Sequence, residues 1–73
     1  MTPGIYRHFK GNYYRVVGTA THAETMETLV VYVPLYGEGG MWVRPLDMFR
    51  GTVLREGREI PRFEYVGSEV PES

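Results

Sequence analysis

Residues 4–22, GIYRHFKGNYYRVVGTATH, carry the pattern on which the fold reading turns. Gly4 to Phe9 set Ile5, Arg7 and Phe9 on one side against Tyr6 and His8 on the other, the period of two that marks a strand. Lys10 to Asn12 follow as a turn, because Gly and Asn accept positive φ more readily than other residues. Tyr13 to His22 resume the alternation, with Tyr14, Val16, Gly18 and Ala20 expected inward and Tyr13, Arg15, Val17 and Thr19 outward. A glycine inside a strand, here Gly18, marks a bulge, a bend or a close backbone approach.

The same signals continue along the chain. Ala23 to Thr28 is polar and reads as a loop. Leu29 to Gly37, LVVYVPLYG, is apolar on both faces, as in a central strand covered on both sides, with Pro34 limiting its ladder. Gly37 to Gly40 turn into Met41–Leu46, where Met41 and Val43 oppose Trp42 and Arg44 and Pro45 ends the strand. Asp47 is expected to cap a single turn through Met48 and Phe49. TVLR and EIPRFEYV then pair across Glu56-Gly57 as a last hairpin.

These readings give an all-β domain, a small SH3-like barrel or roll of about five or six short antiparallel strands with at most one short helical turn. Residues 1–66 form its single domain, and residues 67–73 read as a disordered acidic tail. At 73 residues one core must serve the whole chain. Tyr14, Val16, Val31 and Phe63 are its expected interior. Without cysteine, neither disulfides nor thiolate zinc sites contribute, so packing of the aromatic residues must.

No apolar run is long enough to span a bilayer and no secretory leader is evident, so a cytoplasmic protein without membrane contact is expected. A net charge of -1 provides no general field for a polyanion, which counts against nucleic acid as partner.

GIYRHFKGN, GTATHAET, LVVYVPLYG, MWVRPLDMF and IPRFEYV, in this order and spacing, resemble a family of small bacterial proteins known as domain-of-unknown-function family 1653. The resemblance runs from Gly4 to about Val66, with Val33 and Pro34 departing from the polar or small residues usual there. It implies an SH3-like barrel in a bacterial cytoplasmic protein and no known activity.

Chemistry is sparser than structure. His22 and Glu24, two apart, are candidates for a general base and its orienting carboxylate, the basis of an alternative reading as a small hydrolase-like enzyme. The plainer reading has them making capping and turn hydrogen bonds, with no nucleophile beside them. No catalytic, metal or cofactor assignment is made.

Tyr6, His8, Tyr36, Trp42 and Arg44 form the stronger group: aromatics from neighbouring strands of a small barrel make a shallow groove for an extended peptide or a flat ring. Arg62 joins them as a candidate binding cation. Against this stands the reading that Trp42 completes the core and Arg44 covers it as a cation-π lid. Arg44 itself is read as an outward polar partner of Trp42.

The primary expectation is a non-enzymatic binding module for a peptide, a partner protein or a small ring-containing ligand. A single-stranded RNA-binding barrel is a further alternative. A homodimer through an edge strand at Met41–Arg44 is also considered.

Overall fold

A computed structural model describes residues 1–70. Its strands are β1 (Gly4–His8), β2 (Tyr13–Thr21), β3 (Thr28–Pro34), β4 (Trp42–Pro45), β5 (Thr52–Arg55), β6 (Arg58–Pro61) and β7 (Phe63–Gly67), with one short helix, α1 (Leu46–Phe49), between β4 and β5. A five-stranded antiparallel sheet runs in the order β4-β3-β2-β1-β7, and β5 pairs with β6 as a separate hairpin. The class is therefore all-β and antiparallel with a single helical turn among the described residues, compatible with a small SH3-like roll.

Local chemistry accounts for the connections. The β1–β2 turn closes with His8 N–H donating to the Asn12 carbonyl at 2.8 Å, and Gly11 takes φ 107°. Glu56 and Gly57, at φ 53° and 78°, turn β5 into β6 as a two-residue hairpin.

The segment EIPRFEYV is not one strand. Pro61 cannot continue a ladder as donor, and Arg62 spends its backbone elsewhere: its N–H donates to Gly51 and its carbonyl accepts from Phe9, both at 3.0 Å. Phe63 onwards thus leaves the hairpin to pair with β1.

The main core cluster lies on one face of the sheet, and Ile5, on the alternate side of β1 from Tyr6, is fully buried as well. Tyr6, Val16, Val30, Tyr32, Phe49 and Phe63 form the cluster, with Tyr14 and Leu46 packed at its margin. A bulge at Val17 shifts the β2–β3 register between Val16 and Gly18. Cross-strand partners share a face, so beyond the bulge the alternation reverses: Gly18 and Ala20, expected inward, pair with Val31 and Leu29 on the side away from Val30 and Tyr32. Val30 therefore replaces Val31 as the core residue, and Tyr14 is half-buried rather than interior.

β3 is an inner strand between β2 and β4, but covered on one face: Val30 and Tyr32 are buried while Val31 and Val33 remain half-buried. Pairing of β3 with β2 holds through Pro34, which sits opposite Tyr14. Asp47 is not the cap of α1. It lies in the first turn, Pro45 occupies the cap position without a side-chain hydrogen bond, and the turn delivers Phe49 to the core. Gly67, the first residue of the expected tail, is still in β7 and pairs with Ile5; residues 71–73 lie outside the described residues.

The curl of the sheet places the site. Rings of Phe49 and Phe63 stack parallel at 4.0 Å, and Phe63, on edge strand β7, also reaches Tyr14 at 5.4 Å and Tyr32 at 6.3 Å. Those contacts require a sheet rolled upon its core face rather than spread flat.

Candidate functional site

Where β2 begins and β3 ends, the chain leaves through Leu35 to Gly40 and returns at Trp42 in β4. Trp42 stands opposite Tyr32, and Arg44 opposite Val30, so both project on the core side of the sheet at its β4 edge. This corrects the outward placement expected for Arg44. Because β4 is an edge strand, Trp42 has a neighbour on one side only and remains 57% exposed, while Arg44 is half-buried.

The result is an open cradle of about 500 Å³ walled by Tyr14, Tyr32, Pro34, Tyr36, Trp42 and Arg44, with Gly37, Glu38 and Gly39 along its lip. Gly37 and Gly39 take φ 64° and 73°, which lets the lip turn tightly. The hydroxyls of Tyr14 and Tyr36 hydrogen-bond at 2.8 Å, and their rings meet edge to face at 5.6 Å. Burial, then the Tyr36 hydroxyl, pushes the Tyr14 phenol up to about 12, partly offset by the positive charge of Arg44.

Arg44 does not lie over Trp42. Its guanidinium sits over the Phe63 ring, 5.5 Å from the centroid. The His8 imidazole meets the same ring at 4.9 Å, edge on, and accepts the Lys10 N–H at Nδ1. Burial lowers the His8 pKa, and the charges of Arg44, Arg62 and Lys10 lower it further. Beside Phe63, then, stand Arg44 and His8, with the charges of Arg62 and Lys10 near His8.

Of the residues singled out in the sequence, Tyr36, Trp42 and Arg44 share the cradle, with His8 and Arg62 behind it. Tyr6 does not belong to the surface group. It is buried in the core, edge to face with Phe49 at 5.5 Å, and its hydroxyl donates to the Thr2 carbonyl. Pairing with Tyr14 in the middle of the curled sheet places it beneath the helical turn.

His22 and Glu24 stand at the other end of the β2–β3 ladder. The His22 Nδ1 accepts the backbone N–H groups of Glu24 at 3.1 Å and Thr25 at 3.2 Å, closing a turn in which Met26 takes φ 65°. Their side chains line none of the same space as Trp42. Among the described residues no three His, Asp or Glu side chains gather where they could hold a metal ion, and no helix is long and apolar enough to cross a membrane.

Tyr14, Tyr32, Pro34 and Glu38 also line the cradle and were not among the residues singled out. The strand period already put Tyr14 on the inner face, but its place at the rim depends on how far the sheet curls.

Fold and site together define a small antiparallel-β domain with an open aromatic cradle and a guanidinium in its wall. The chain belongs to the family described as Protein of unknown function (DUF1653), whose profile matches residues 4–65. A crystal structure of a DUF1653 protein from Bordetella bronchiseptica is similar at 43% identity and a TM-score of 0.89, over 99% of this chain and 95% of that one. No curated protein matches the chain.

Proposed function

We propose that this domain is a non-enzymatic binding module whose cradle takes a small ring-bearing ligand, and that it works in a bacterial cytoplasm as an SH3-like fold. The observation that carries the reading is Trp42. A 73-residue chain has little apolar surface to spare, yet its one tryptophan is left 57% exposed beside Tyr32 and Tyr36. The cradle volume of about 500 Å³ falls in the range of small-molecule sites, and aromatic walls with a few polar or charged groups are their usual lining. The relative from Bordetella bronchiseptica supports a bacterial setting; fractionation of cells making the chain checks the compartment.

Titration of isotopically labelled protein with planar heterocycles and short aromatic peptides tests the reading. Amide signals of Tyr36, Gly39 and Arg44 and the Trp42 indole are expected to move together. Trp42→Ala should remove the response and leave the spectrum folded. Unmoved signals across the panel, or unfolding of Trp42→Ala, would sink it.

A further inference from the structure

We infer that the ligand is an anion, a planar ring bearing a carboxylate or phosphate, with the ring against Trp42 and Tyr36 and the anionic group on Arg44. The inference rests on the reading of the cradle as a binding site and adds the charge of what fills it.

Charge is unevenly distributed over the molecule. The chain as a whole carries -1, so no general positive field exists. Locally the balance is reversed: Arg44 lines the cradle over the Phe63 ring, the His8 imidazole meets the same ring, and Arg62 and Lys10 add positive charge near His8. The Nε of Arg62 is buried without a hydrogen-bond partner, so its charge is not offset by an acceptor at that atom. The carboxylate among the lining residues, Glu38, belongs to the glycine lip. A bound molecule therefore meets negative charge at the lip and positive charge at the wall formed by β4.

Geometry makes Arg44 suited to an acceptor. A guanidinium carried over a ring keeps its N–H donors, which lie in its own plane, available for a forked contact. Rings of Tyr14, Tyr32 and Tyr36 in edge-to-face array hold the wall rigid, and the Trp42 indole offers stacking surface. A stacking surface beside a planar donor fork matches a flat ring with an oxyanion attached.

The test compares matched probes: adenosine 5′-monophosphate with adenosine, and indole-3-acetate with indole-3-acetamide, by titration of Trp42 fluorescence and amide shifts. The anionic member of at least one pair is expected to bind about tenfold more tightly than its neutral partner, the magnitude of one charge-assisted contact. Which pair shows the preference separates phosphate from carboxylate. Arg44→Gln should abolish the preference while Arg44→Lys keeps part of it. Should Arg44→Gln fail to fold, wild-type affinity still decides, since an ionic preference shrinks with added salt. Equal binding of charged and neutral probes overturns the anion assignment and leaves the binding reading intact. Absence of any response at Trp42 overturns both.

Discussion

Arg44 and Phe63 sit on opposite edge strands, β4 and β7, yet the guanidinium lies 5.5 Å from the centre of the ring. In a flat sheet the four steps from β4 to β7 would separate them by about 19 Å at the usual strand spacing of about 4.8 Å. The sheet is therefore rolled until its edges meet through side chains, and the cradle is formed where the roll brings β4 over the core.

Phe63 is the hub of that roll. Phe63→Ala removes the stack on Phe49 together with the contacts to Tyr14 and Arg44, and a cost of about 3–5 kcal/mol is expected. Small domains have total stabilities of this order, so the variant should be largely unfolded at room temperature, while Phe63→Leu stays folded. Urea unfolding followed by circular dichroism checks both. A Phe63→Ala protein with near-normal stability would show that the edge contacts contribute little.

Trp42 predicts the reverse behaviour. More than half exposed and outside the core cluster, it should change stability by less than about 1 kcal/mol on substitution by alanine, although ligand response is lost. Parallel urea curves and titrations of the one variant measure the two effects separately.

Tyr14 links the site to alkaline pH. Its folded pKa of about 12 stands above the ordinary 10, so the unfolded chain releases the phenolic proton first. The stabilisation from this group is full below pH 10 and is lost as pH rises from there through about 12. Tyr36→Phe removes the 2.8 Å hydrogen bond and should lower the Tyr14 pKa, visible in the absorbance of the phenolate. Unchanged titration in that variant would mean burial alone sets the value.

His8 acts at the other end of the scale. Its folded pKa is below the ordinary 6.5, because burial and then Arg44, Arg62 and Lys10 disfavour the imidazolium. The unfolded chain therefore takes up the proton more readily, and the contribution of His8 to stability is full above pH 6.5 and declines as pH falls below it toward the folded value. Tm measured against pH should show this decline in the wild type and a shallower one in His8→Gln. Identical profiles would remove His8 from the cause.

Gly4 tests the β1–β7 junction. It takes φ 141°, and an added Cβ would stand 2.8 Å from the Gly67 carbonyl oxygen and 2.9 Å from the Tyr65 ring. The backbone oxygen cannot retreat without breaking the strand pairing, so Gly4→Ala should cost about 1–3 kcal/mol. A thermal midpoint equal to wild type would disprove the clash.

Much of the architecture is legible residue by residue. Alternation in GIYRHF, the Gly11 turn, the Glu56-Gly57 hairpin and the strand of Trp42 to Pro45 follow from side-chain period and turn chemistry, which involve only neighbours in the chain. Tyr36, Trp42 and Arg44 are recognisable as a group for the same reason: strands joined by the glycine loop must lie side by side. Tyr6 is misjudged, because an inward tyrosine near a chain end differs from a surface one only by what covers it, here Phe49.

The amino-acid order by itself thus determined the β class, the turns and the hairpin partners, because these depend on short-range sterics and periodicity. Only the tertiary structure decided that the irregularity signalled by Gly18 is a bulge at Val17 that reverses the faces of β2, that Arg44 faces the core side, and that its aromatic partner is Phe63 and not Trp42. Those outcomes depend on how far five paired strands curl around one aromatic core, a property of the whole packed sheet that no local window contains.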